Sequence, residues 1–200
     1  MSRFLARTLP AVVLPVALLL PVAAHAEKVV TRDPAGDVVT LVTDEGGAEE
    51  AVAAPEYARV DIVRTVVDHR VNRLRVSVRF RELGRGPFQF TVIRVVTPRE
   101  KFDLFVERLG GKPIVTMSRG KKELECAGLR ARVDRSTTSV TTSLPTACIA
   151  TPRWVQVGVG AIAIDEDVAV PDVIAAYADD GHRGTIRDNS IGKGPKVRRG

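Results

Sequence analysis

The side chains in this sequence with chemistry to offer are loop acids, rows of arginine, one cysteine pair and a single tryptophan. The acids fall in three groups. Asp33 and Asp37 frame the turn Asp33-Pro34-Ala35-Gly36-Asp37; Asp44, Glu45, Glu49 and Glu50 follow; Asp165-Glu166-Asp167 forms the third. Calcium takes about six to eight oxygens from carboxylates and loop carbonyls, so acids in loops are what it needs. Asp33 and Asp37 with Asp61 are expected to converge at one end of a sandwich, which makes them the candidate calcium ligands. Their spacing is not the D-x-[DN]-x-[DN]-G order of an EF-hand. The competing reading is ordinary turn acids, which hydrogen-bond their own backbone. No other cofactor is expected.

Arg73, Arg75 and Arg79 alternate along one segment, with Arg81 continuing the series. A face of this kind can hold an anionic polymer electrostatically. It can equally be the solvated side of a sheet, where positive charge discourages edge pairing. Trp154, with Tyr57 and Tyr177, is the candidate for stacking on a sugar ring; the alternatives place Trp154 in the core or against the disulfide. Nucleic acid is not expected as a partner, because base-stacking aromatics are missing from the arginine segment. Cys126 and Cys148 are the only cysteines, and an even count in an exported chain predicts a structural disulfide. Two cysteines with a distant His69 fall short of the three or four ligands of zinc.

Catalytic signatures are sparse. There is no G-x-S-x-G nucleophile elbow and no H-E-x-x-H helix. His69 falls in a predicted turn and His182 in a predicted tail, so neither is assigned a catalytic role. A hydrolase using two carboxylates from separate loops is the enzymatic alternative.

These residues have to be positioned by strands. Valine occupies 31 positions, and stiff β-branched side chains favour extended backbone. Arg73 to Phe80 alternates strictly, with Leu74, Val76, Val78 and Phe80 on one side, which predicts a strand with one buried face. Asp68 to Asn72 reads as the hairpin turn joining it to Arg59–Val67. Further strands are predicted at Lys28–Thr31, Val38–Val42, Phe88–Val96, Lys101–Glu107, Pro113–Ser118, Leu124–Val133, Ser139–Ser143 and Trp154–Ile164, with one helical turn near 144–151. Short strands separated by polar turns predict an all-β fold, an antiparallel, jelly-roll-like β-sandwich.

The organisation expected is a signal peptide over 1–26, a sandwich domain over 27–178 and a basic, loosely ordered tail over 179–200. Arg3 and Arg7, the apolar run Leu9–Ala24 and Ala24-His25-Ala26 carry the secretory pattern, with cleavage after Ala26. The run is interrupted by Pro10, Pro15 and Pro21 and is shorter than the ~20 residues of a spanning helix. Release outside the cell is therefore expected, without membrane insertion. Loss of Arg3 and Arg7 takes the formal charge from +6 to +4.

Asp33-Pro34-Ala35-Gly36-Asp37, Ala58-Arg59-Val60-Asp61-Ile62 and the Leu74–Phe80 strand resemble the opening of sandwiches related to family 9 carbohydrate-binding and DOMON-like domains. Ser143 to Cys148, with Pro152-Arg153-Trp154-Val155, resembles a segment of uncharacterised secreted actinobacterial proteins. The resemblance implies a jelly-roll-like sandwich with an extracellular role and transfers no activity. The functional expectation is a secreted, non-catalytic binding domain whose partner is cell-wall glycan or an anionic wall polymer. A structural domain that binds an extracellular protein is a further alternative.

Overall fold

The computed structural model describes residues 27–43, 49–83, 88–108, 112–165, 175–184 and 190–200. The leader over 1–26 lies outside the described residues, as do Asp44, Glu45, Glu166 and Asp167.

The strands are, in chain order, β1 (Glu27–Arg32), β2 (Val39–Thr43), β3 (Glu49–Ala53), β4 (Ile62–His69) and β5 (Arg73–Phe80). Then come β6 (Phe88–Val96), β7 (Lys101–Arg108), β8 (Ile114–Arg119), β9 (Lys122–Glu123) and β10 (Arg130–Asp134). The last are β11 (Ser139–Pro145), β12 (Trp154–Asp165), β13 (Ala175–Asp180) and β14 (Lys196–Arg198), with one 3-10 turn at Thr146–Ile149. They form two antiparallel sheets. The first runs β1-β4-β5-β11-β10; the second runs β3-β2-β13-β12-β6-β7-β8-β9, with β14 also on β12.

The alternation read from the sequence is the alternation observed. Leu74, Val76, Val78 and Phe80 of β5 are buried, while Arg75 and Arg79 between them are exposed. Ile93, Val95, Leu104, Val106, Val157 and Val159 from the second sheet meet them in one core. Each such side chain, removed from water, contributes about 1.5–3 kcal/mol before the entropy of ordering is set against it. This all-β sandwich is the predicted fold class.

Three departures from the expected elements have local causes. The single strand expected over Leu124–Val133 is broken between β9 and β10. Cys126 is tied to Cys148 there, with Cα atoms 5.8 Å apart, and the chain turns through Gly128 at φ 83°. β3 and β13 were not expected, because Glu49–Ala53 and Ala175–Asp180 carry little of the β-branched pattern. They are strands because β2 and β12 offer them unpaired edges to bond.

The third departure concerns the C-terminus. Asp179 and Asp180 complete β13, and β14 bonds to β12 from Trp154 to Gln156. Val197 is buried, and the Gly200 N–H reaches back to the His69 carbonyl of the first sheet. The described part of 179–200 is thus woven between the sheets and is not a loose tail.

Cys126 and Cys148 are disulfide-bonded as expected. Closing this loop constrains the unfolded chain by about 3 kcal/mol. Cys126→Ser should therefore lower the melting midpoint by about 6–12 °C for a domain of this size. An unchanged midpoint, or two titratable thiols in the native protein, would contradict it.

Candidate binding face and acidic end

The outer face of the five-stranded sheet collects the arginines. Register places Arg32 opposite Arg64 and Arg64 opposite Arg79, so three guanidinium groups stand side by side on β1, β4 and β5. The row continues through Ser139 to Asp134. Two residues further along the strands, Val30, Val66, Ser77, Thr141 and Arg132 form the next row. Two further again, Lys28, Asp68, Arg75, Ser143 and Arg130 form a third row. Basic groups thus flank a central row of two valines, two hydroxyls and Arg132, with the Thr141 hydroxyl donating to Ser77 Oγ at 3.0 Å.

Arg32, Arg64, Arg75, Arg79 and Arg130 are exposed, and none is in an ion pair among the described residues. Arg73 is held closer in, donating to Ser143 Oγ at 3.0 Å and to the Gly128 carbonyl at 3.3 Å. Shallow hollows of about 390 and 490 Å³ lie along the face, one beside Arg64, Ser77 and Arg79, the other beside Arg75, Arg130 and Thr141. The expectation that Arg73, Arg75 and Arg79 share a face therefore holds. Arg81 does not continue it: its Nη2 donates to the Pro55 carbonyl at 2.6 Å and its Nε sits 3.2 Å from Asp61 Oδ2.

Asp61 leads to the second feature. Asp33 and Asp37 stand at either end of the β1–β2 turn, which bends through Gly36 at φ 85°. Asp61 precedes β4 and Asp179 lies near the end of β13. One carboxylate oxygen from each of Asp33, Asp37 and Asp179 lies within 4.8 Å of the others. Two of the acids are anchored by backbone donors: Gly36 N–H to Asp61 Oδ2 at 2.7 Å and Ile62 N–H to Asp179 Oδ2 at 2.6 Å. Asp61 and Asp179 are 0% and 1% exposed. Burial, then the charges of Asp179, Asp37, Asp180 and Asp61, push the Asp33 carboxyl up to about 8. Burial likewise pushes Asp179 up to about 7 against the lowering effect of the Ile62 N–H.

Trp154 is half-buried and lines a groove of about 620 Å³ with Thr97, Arg99, Glu100, Thr151 and Arg153. The Lys196 ammonium lies over the indole, 4.4 Å from the ring centroid. Tyr57 and Tyr177 stack on each other with centroids 3.7 Å apart, so each ring has one face taken. His69 is buried at the end of β4 and not in a solvated turn; its Nδ1 is 3.2 Å from the Val197 carbonyl. His182 is held in the turn after β13, its backbone N–H bonded to Asp180.

No family model, curated protein or solved structure matches the chain. The geometry therefore carries the functional argument alone. Sequence reasoning missed Arg32, Arg64, Arg130 and Arg132, although the Arg-Ala-Arg alternation at 130–132 carried the same signal as Arg73–Arg79. It also missed Asp179, whose neighbours in sequence give no hint of Asp33.

Proposed function

We propose that this protein is a non-catalytic binding domain that works outside the cell and holds an anionic polymer on the outer face of its five-stranded sheet. The observation that supports this reading is the register row Arg32–Arg64–Arg79. Like charges directly opposite one another on neighbouring strands are destabilising, and no acid separates these three. A ligand bringing negative charge at regular intervals would offset that repulsion. Neighbouring strands lie ~4.8 Å apart and alternate residues ~6.8 Å apart along a strand. Phosphate or carboxylate groups repeating at roughly those distances match the grid, and the central hydroxyls add hydrogen bonds to their oxygens. The leader pattern and the disulfide support an extracellular setting.

The burial of Asp61 and Asp179 favours this reading over the carboxylate hydrolase, because a polymeric substrate cannot reach an acid shut off from solvent. A second reading rests on Trp154 beside its groove, where a neutral glycan would stack on the indole.

Co-sedimentation with purified bacterial cell wall at low and high salt separates the two. The charge grid predicts binding that is lost at high salt, because exposed charges are screened. Arg64→Glu with Arg79→Glu should weaken it at least tenfold while leaving the melting transition cooperative. Salt-resistant binding competed by soluble sugar would transfer the function to Trp154. Absence of binding at either salt would leave a protein-interaction domain.

A further inference from the structure

We infer that Asp33, Asp37 and Asp179, with Asp61 buried beside them, form a calcium site that ties the two sheets together at one end of the sandwich. This goes beyond the polymer face and does not depend on it. Asp33 and Asp61 flank strands of the first sheet, while Asp37 precedes β2 and Asp179 lies on β13 of the second. A single ion bound to Asp33, Asp37 and Asp179 would bridge the layers at this end of the sandwich.

The oxygens are arranged to bind something positive. Ligands that share one calcium at 2.3–2.6 Å can be at most about 5 Å apart, and an oxygen from each of Asp33, Asp37 and Asp179 meets that limit at 4.8 Å. In Asp61 and Asp179 the Oδ2 atom accepts a backbone N–H, while Oδ1 is buried without a donor. Each carboxylate is thus fixed by one oxygen and free at the other, the way outer hydrogen bonds orient metal ligands. Asp33 Oδ2 and both oxygens of Asp37 are also buried without a donor. Unpaired buried acceptors are expensive, and unpaired buried charges more so. Arg81 answers Asp61 at 3.2 Å, which leaves Asp33, Asp37 and Asp179 without a cation partner among the described residues.

The donor set selects the ion. The three ligands are hard carboxylate oxygens, which suits calcium or magnesium and not a thiophilic metal. Magnesium keeps several waters and uses one or two carboxylates, whereas calcium accepts a cage of many protein oxygens in flexible geometry. Three carboxylates converging from the β1–β2 turn and β13 exceed what magnesium usually takes and fit calcium. Gly184 closes the site: at φ 64° it lies so near Asp37 that a Cβ would stand 3.3 Å from Oδ2.

Calorimetric titration of EDTA-treated protein with calcium chloride, and separately with magnesium chloride, tests the assignment. The expected result is one calcium per chain, bound at least tenfold more tightly than magnesium. At a hundredfold excess over Kd, calcium should raise the melting midpoint by about 5–10 °C. Asp37→Asn is the variant of choice, because neither Asp37 oxygen supports the backbone. It should keep a cooperative melt yet bind calcium at least tenfold more weakly, while Glu125→Gln at an exposed position binds as the wild type does. Absence of calcium binding, or an Asp37→Asn protein that binds calcium normally, would overturn the site. Equal affinity for magnesium would overturn the choice of ion.

Discussion

Deleting residues 190–200 is expected to destabilise the protein by more than ~4 kcal/mol, enough to abolish a cooperative melt if the remaining stability is ordinary. Val197 alone, 1% exposed in the core, contributes about 1.5–3 kcal/mol. The deletion also strips the β14 ladder from Trp154–Gln156 and removes the carbonyl facing His69 Nδ1. The Gly192 N–H, which donates to buried Asp180 Oδ2 at 2.6 Å, goes as well. A gentler probe is Gly158→Ala. A Cβ at that position would stand 2.3 Å from the Gly192 carbonyl oxygen, so the 191–194 segment would have to move off β12. Both variants should lose stability by denaturant titration. A truncated protein that melts like the full chain would show that these contacts contribute nothing, as the composition of this segment first suggests.

Metal-free protein is expected to lose stability as the pH rises from about 4 to 8, and saturating calcium to remove most of that loss. Asp33 and Asp179 hold their protons up to about 8 and 7 in the folded chain, mainly because of burial. Burial is the first cause of the upward displacement at Asp37 and Asp61 too, and at Asp61 the Gly36 N–H and then Arg81 work against it. The unfolded chain gives up the same protons near 3.8. The folded state is therefore favoured fully below pH ~4, and that contribution is gone once the pH passes about 8. For Asp179, shut off from solvent, it amounts to about 4 kcal/mol at most.

The buried histidines act in the opposite sense. Burial holds His69 and His182 below their ordinary value of 6.5, so they lower stability on acidification through that range. The slope is best read between pH ~7.5 and ~8.5, where both imidazoles are almost wholly neutral folded and unfolded. Urea titrations in EDTA should show falling stability across that window, flattened by Asp33→Asn. A flat wild-type profile would mean that the acidic end accommodates its charges with neither proton nor cation.

The two candidate sites were legible to different degrees for a physical reason. A strand writes its facing into the sequence every second residue, so Leu74–Phe80 declared both its core side and its arginine side. Three of the basic residues on the face, Arg73, Arg75 and Arg79, could be named from that segment alone. The row they belong to could not. It depends on the register that sets Arg32 against Arg64 and Arg64 against Arg79, with a shift between Ile62 and Arg64 that no periodicity announces. Trp154 was recognisable as the one aromatic of its kind, yet only packing decided that it lines a groove beneath the Lys196 ammonium.

The sequence by itself determined the β class, the disulfide partners and the buried face of the central strands, because each follows from residue type or from a period of two. Tertiary structure alone decided that the C-terminal segment is a strand, since β14 exists by virtue of the edge of β12 and has no pattern of its own. It also decided the acidic end. Asp33, Asp37 and Asp61 could be grouped as loop acids, but Asp179, whose oxygen meets those of Asp33 and Asp37, is anchored by the Ile62 N–H across 117 positions of sequence. Contacts at that range are made by chain crossings between sheets, which leave no local trace for a sequence to show.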